Sequence, residues 1–169
     1  MAISMYRASV PVFQQMLPAL GACLRKGTDY AAAKKVDPAV LLQSRLYPDM
    51  LPLVRQVQIA ADFGKNTIAR LAGQEPPKFE DDETTFDQLQ ARISRTLDFI
   101  REFKASQIDG SEEREITLKL GTETRTFNGE SYLINFALPN FFFHTTTAYA
   151  ILRHNGVELG KGDYMRPPA

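Results

Sequence analysis

Between residues 50 and 71, Met50, Val54, Val57, Ala61, Gly64, Ile68 and Leu71 step by four and three. On an α-helix that spacing gathers them into one seam along a single side. An isolated helix with such a seam is marginal in water, and its stability comes from laying the seam against other helices. The residues after the seam support this reading. Gly73 ends the helix, and Pro76-Pro77 prevent it from continuing. A chain built around this segment is therefore expected to be a helical bundle.

Three more segments carry the same period. Ser4 to Ala33 places Val10, Phe13, Met16, Leu17 and Leu20 together. Pro11 and Pro18 interrupt it, each removing a backbone hydrogen bond, so the segment reads as a kinked helix or two successive pieces. A short helix starts at Pro38, with Asp37 as its cap. From about Thr84 to Ala105, Phe86, Leu89, Ile93, Leu97, Ile100 and Phe103 point inward, with Asp82 or Thr84 as cap and Asp87 in the first turn. The fourth region begins near Glu130, breaks at Pro139 and runs to His154 or Asn155, where Gly156 closes it. Its expected seam is Phe142, Thr145, Tyr149 and Leu152. Between the third and fourth helices, Ile116, Leu118 and Leu120 alternate with polar residues, which predicts a hairpin with strands near 114–119 and 123–127. The expectation is a mainly α protein: a four-helix bundle with a small β-hairpin, forming one domain over residues 1–169.

Composition narrows the function classes. Lysine plus arginine and aspartate plus glutamate both number 20. That balance, without a clustered basic patch, argues against a nucleic-acid partner. No apolar run is long enough to span a membrane, and the N-terminus lacks the pattern of a secretion signal. The lone Cys23 excludes an intramolecular disulfide and sits among apolar neighbours, which suits a buried, inert thiol in a reducing, cytoplasmic setting.

Both histidines lie in the stretch PNFFFHTTTAYAILRHNG, residues 139–156. Ten residues of helix separate them by about 15 Å of rise, so they cannot share one metal ion. His154 reads as a helix-end residue favoured by the dipole. His144 has Asn140 one turn before it on the same face, a pair able to hold a ligand, a water or a metal. No nucleophile elbow or phosphate loop occurs. Phe141-Phe142-Phe143 circle the helix, so more than one face needs covering, which points to a homodimer.

The segments RLYPDMLPLVRQVQIAADFGKNTIARLAG and LPNFFFHTTTAYAILRHNGVELGKGDYM resemble a bacterial family of unknown function within the DinB/YfiT-like metalloenzyme superfamily. In the tail, Leu152, Arg153, Gly156, Val157, Asp163 and Tyr164 carry the likeness. The resemblance implies a site of three histidines, one on the second long helix and a His-x-x-x-His pair on the fourth. Carried onto this chain, His144 takes the second place of that pair and Asn140 the first. The second-helix place falls near Gln58, with Asp62 one turn later. Zinc and nickel favour imidazole, thiolate and carboxylate donors, so one imidazole with two amides makes a degenerate site. Two functions follow as expectations. One is a non-catalytic or small-molecule-binding homodimer without a metal. The other is a zinc- or nickel-dependent transferase or hydrolase with His144 as a ligand and Gln58, Asp62 or Asn140 completing the shell.

Overall fold

The computed structural model describes residues 3–165. Four long helices form the frame: α1 (Met5–Lys34), α3 (Leu53–Leu71), α4 (Phe86–Arg101) and α7 (Leu138–His154). Around them lie the short helices α2 (Pro38–Gln43), α5 (Ala105–Ile108), α6 (Gly129–Ser131) and α8 (Lys161–Tyr164). The strands β1 (Ile116–Leu120) and β2 (Glu123–Phe127) pair antiparallel, with Leu118 opposite Arg125, and lie between α4 and α7 as expected. α3 packs on α4 and α7, and α1 packs on the same two, so the ring order is α1, α4, α3, α7. No helix among the described residues is long and apolar enough to cross a membrane.

The α3 seam is buried as its spacing requires: Val54, Val57, Ala61, Gly64, Ile68 and Leu71 all face the core. Phe13 of α1 meets Phe141 of α7 edge to face, with ring centroids 4.8 Å apart. That contact corrects the expected α7 seam. Phe141, Thr145, Ala148 and Leu152 line the interior, whereas Phe142 is 37% exposed. The helix also does not break at Pro139. Pro139 is the second residue of α7, and the helix runs on without a break from a π-helical segment (Tyr132–Ala137). Its wider winding changes which residues face inward, a shift that a 3.6-residue period does not register.

α1 is one continuous helix despite Pro11 and Pro18. Pro11 is exposed and Pro18 half-buried, so both sit off the buried stripe, and the carbonyls they release belong to exposed Arg7 and half-buried Gln14. Water can satisfy such groups, which lowers the cost of each proline. The cap of α4 is Thr85, not Asp82 or Thr84. The Thr85 side chain accepts from the Gln88 N–H, and the Gln88 side chain accepts from the Thr85 N–H in return. α4 ends at Arg101, short of Ala105, yet Phe103 beyond it is still buried. Asp37 caps α2 through the Ala39 N–H at 2.9 Å.

Cys23 is buried and its thiol is pushed up to about 11 by burial, with a smaller contribution from Asp163. It is an inert core residue, as its neighbours in the sequence suggest.

Candidate functional site

α3 carries polar residues on two of its sides, and the structure sends them to different neighbours. Gln56 and Phe63 face α7; Gln58 and Asp62 face α4 and the connection before it. Two residues on a helix differ by roughly 200°. Gln56 and Gln58 therefore have unrelated surroundings, although they are near neighbours in sequence.

On the α7 side, His144 is buried and its Nδ1 lies 2.7 Å from Gln56 Oε1. The amide is held in turn, because its Nε2 donates to the Leu51 carbonyl at 3.1 Å. A carbonyl only accepts, so the nitrogen end of the amide must face Leu51 and the oxygen end must face the imidazole. Nδ1 is therefore the protonated nitrogen, and Nε2 carries the lone pair. Burial holds the His144 pKa below its ordinary 6.5, so the ring is neutral at pH 7. Phe63 stacks against it at 6.1 Å and Phe143 meets it edge-on at 5.2 Å. Asn140, one turn earlier, donates its side-chain N–H to the Phe136 carbonyl at 2.7 Å. His154 is exposed in the last turn of α7, away from this arrangement.

On the α4 side, Arg92 is almost fully enclosed. Its guanidinium meets Asp62 at 2.8 Å, Asp81 at 2.9 Å and Glu83 at 2.9 Å, and donates to the Glu80 carbonyl. Gln58 is tied into the same cluster, accepting from Arg55 and donating to Glu83, both at 2.7 Å. Asp62 also pairs with buried Lys65 at 3.1 Å. Phe79 covers the assembly, with Arg95 stacked 3.4 Å from its ring centre. Burial alone would lower the Arg92 pKa, but Glu83, Asp62 and Asp81 more than offset it and hold the charge in place. Burial likewise opposes ionisation of Asp81, yet Arg55 and Arg92 keep its pKa below the usual carboxylate value.

Of the four residues singled out from the sequence, His144 keeps its Nε2 and Asn140 its amide oxygen without a hydrogen-bond partner among the described residues. Gln58 and Asp62 are committed to the Arg92 cluster, and Asn140 bonds within its own helix. No group of three or more His, Cys, Asp or Glu side chains among the described residues is arranged to hold a metal. A divalent ion at Asp62 would have to displace Arg92 and Lys65. This donor set does not fit the three-ligand site that the resemblance implies. Sequence reading missed Gln56 and Arg92. The signal for Gln56 was its seven-residue spacing from Phe63, which places both on the face that meets α7.

Comparison with known proteins agrees with this architecture. The family model described as "Domain of unknown function (DUF1993)" matches residues 5–165, and the chain belongs to that family. A solved structure of a DinB family member from Shewanella denitrificans is similar at a TM-score of 0.86 and 42% identity, covering 95% of this chain and 90% of that one. The fold is thus a DinB-like bundle. No curated protein matches the chain.

Arg92 provides a test of this arrangement. In Arg92→Met, Asp62, Asp81 and Glu83 would lose their shared cation. Breaking a buried pair costs ~3–5 kcal/mol, and partial solvent access of Asp62 and Asp81 places this variant near the lower end, at about 3 kcal/mol. Chemical denaturation of wild type and variant measures the difference. A change below ~1 kcal/mol would show that the cluster does not hold α3 to α4.

Proposed function

We propose that this protein is a metal-independent, small-molecule-binding member of the DinB-like bundles that works as a homodimer. The carrying observation is the relay from the Leu51 carbonyl through Gln56 to His144 Nδ1. It leaves one neutral imidazole with its Nε2 lone pair oriented, and among the described residues no group of three or more His, Cys, Asp or Glu side chains stands ready to hold a metal ion. Such a group accepts a hydrogen bond from a ligand. Phe63 and Phe143 supply apolar surface beside it.

One observation favours the alternative, a metal-dependent transferase or hydrolase. Histidines that ligate metals usually donate their other ring N–H to a fixed acceptor, and Gln56 is such an acceptor. Elemental analysis of the natively purified protein, followed by titration with zinc and nickel, separates the two. The proposal expects a folded, metal-free chain that takes up neither ion stoichiometrically. Stoichiometric zinc or nickel, lost in a folded His144→Ala variant, would establish the alternative.

The dimer rests on exposed apolar residues of the π-helical segment and α7: Ile134 at 51%, Phe142 at 37% and Phe143 at 56% exposure. Exposed apolar side chains of this size are candidates for contact with a second copy. Light scattering is expected to give a mass roughly twice the 19.0 kDa of the chain, reduced to the monomer in Phe143→Lys. A monomeric wild type at high concentration would refute it.

A further inference from the structure

A cleft of about 390 Å³ opens between α3, β1 and the π-helical segment, inside the ~300–1,000 Å³ range of small-molecule sites. Asp62, Asn66 and Arg70 lie on successive turns of its α3 wall, so an acid, an amide and a guanidinium form a line. At 1.5 Å per residue the line is about 12 Å long. Its two ends differ in how their charges are met. Asp62 is neutralised by Arg92 and Lys65, and the Asn66 oxygen accepts from Lys65 at 2.7 Å. Arg70 is half-buried, sits over the Tyr132 ring and donates one hydrogen bond, to the Tyr132 hydroxyl at 3.1 Å. Among the described residues no carboxylate pairs with it.

Arg92 has carboxylates on several sides, whereas Arg70 has a neutral phenol that fixes the guanidinium and leaves donors over. Lys119 of β1 lines the same cleft and also has no ion pair among the described residues. Glu75 lines the cleft too, but it is exposed and pairs with neither cation. Beside these charges stands an aromatic wall: Phe63 and Phe136 lie 5.9 Å apart, and Phe136 continues to Phe127 at 5.3 Å.

We propose that this cleft binds a small aromatic carboxylate, its carboxylate between Arg70 and Lys119 and its ring against Phe63 and Phe136. The inference rests on the small-molecule-binding reading and supplies its ligand class. A guanidinium fork matches a carboxylate in two parallel hydrogen bonds. Phosphate is disfavoured because Arg70 stands in the last turn of α3, where the helix dipole opposes a dianion. A zwitterion is disfavoured because Asp62, the acid it would need, is already paired.

Calorimetric titration of the full chain at low salt tests this, with 3-phenylpropionate, its uncharged amide and inorganic phosphate as probes. The acid is expected to bind once per chain, and the amide at least about tenfold more weakly. Arg70→Met, checked for folding by circular dichroism, is expected to weaken the acid by about tenfold or more. Lys119→Met changes an exposed strand residue that leaves the core intact, and is expected to cost about two- to fivefold. If Arg70→Met does not fold, Lys119→Met decides. Equal binding of acid and amide, unchanged affinity in the folded variants, or tighter binding of phosphate than of the acid would each overturn the inference. If the acid fails but the amide binds in a His144-dependent way, the ligand class is wrong and the small-molecule reading stands. If neither binds, both fail.

Discussion

The constraint on which the rest of this structure depends is the enclosed guanidinium of Arg92. An arginine cannot shed its charge, so burying it obliges the fold to surround it with acceptors. Asp62 from α3, with Asp81 and Glu83 from the connection before α4, answers that demand, and Gln58 joins them through Glu83. The cluster fastens α3 to α4 and holds the long polar connection between them, whose Phe79 lies against Arg92 and Arg95. Gln58 and Asp62 lie on the α4 side of α3, so the α3–α7 face takes its polar contact from Gln56 instead.

What remains on that face is a neutral imidazole in an apolar setting. Gln56 is itself buried, and its amide is satisfied at both ends, by Leu51 and by His144. A buried amide with both ends bonded is rigid, and here it dictates which ring nitrogen holds the proton. The same helix carries Arg70 two turns beyond Phe63, at the charged end of the cleft under the hairpin. Phe63 touches both His144 and Phe136, so the imidazole and the cleft share an aromatic partition. The acidic side chain of Asp62 on α3 is used in ion pairing with Arg92 and Lys65.

The frame was legible because it rests on periodicity. The 54–71 seam, the hairpin between the third and fourth long helices, the Asp37 cap and the surface position of His154 are all local in origin. Features set by contacts distant in sequence were not. The π-helical segment moved the α7 seam onto Phe141, because i→i+5 winding leaves no mark in a 3.6-residue pattern. The continuity of α1 depended on its prolines falling off the buried stripe. His144 was identifiable as one of two histidines in the chain, with its neighbour Asn140 four residues before it. Its partner was not, since Gln56 lies 88 residues away and competes on paper with Gln58 two positions later. Arg92 was hidden for the same reason: its acceptors come from two separate stretches of chain.

Gln56 fixes His144 as a neutral imidazole with the proton on Nδ1. Long-range proton–nitrogen correlation NMR of the imidazole, followed over pH ~5 to 8, observes this directly. An Nδ1-protonated, Nε2-unprotonated ring is expected at neutral pH, one that gains its second proton only below 6.5. Replacing Gln56 with leucine should release that tautomer preference. An Nε2–H tautomer in the wild type, or a ring that is already charged above 6.5, would contradict it.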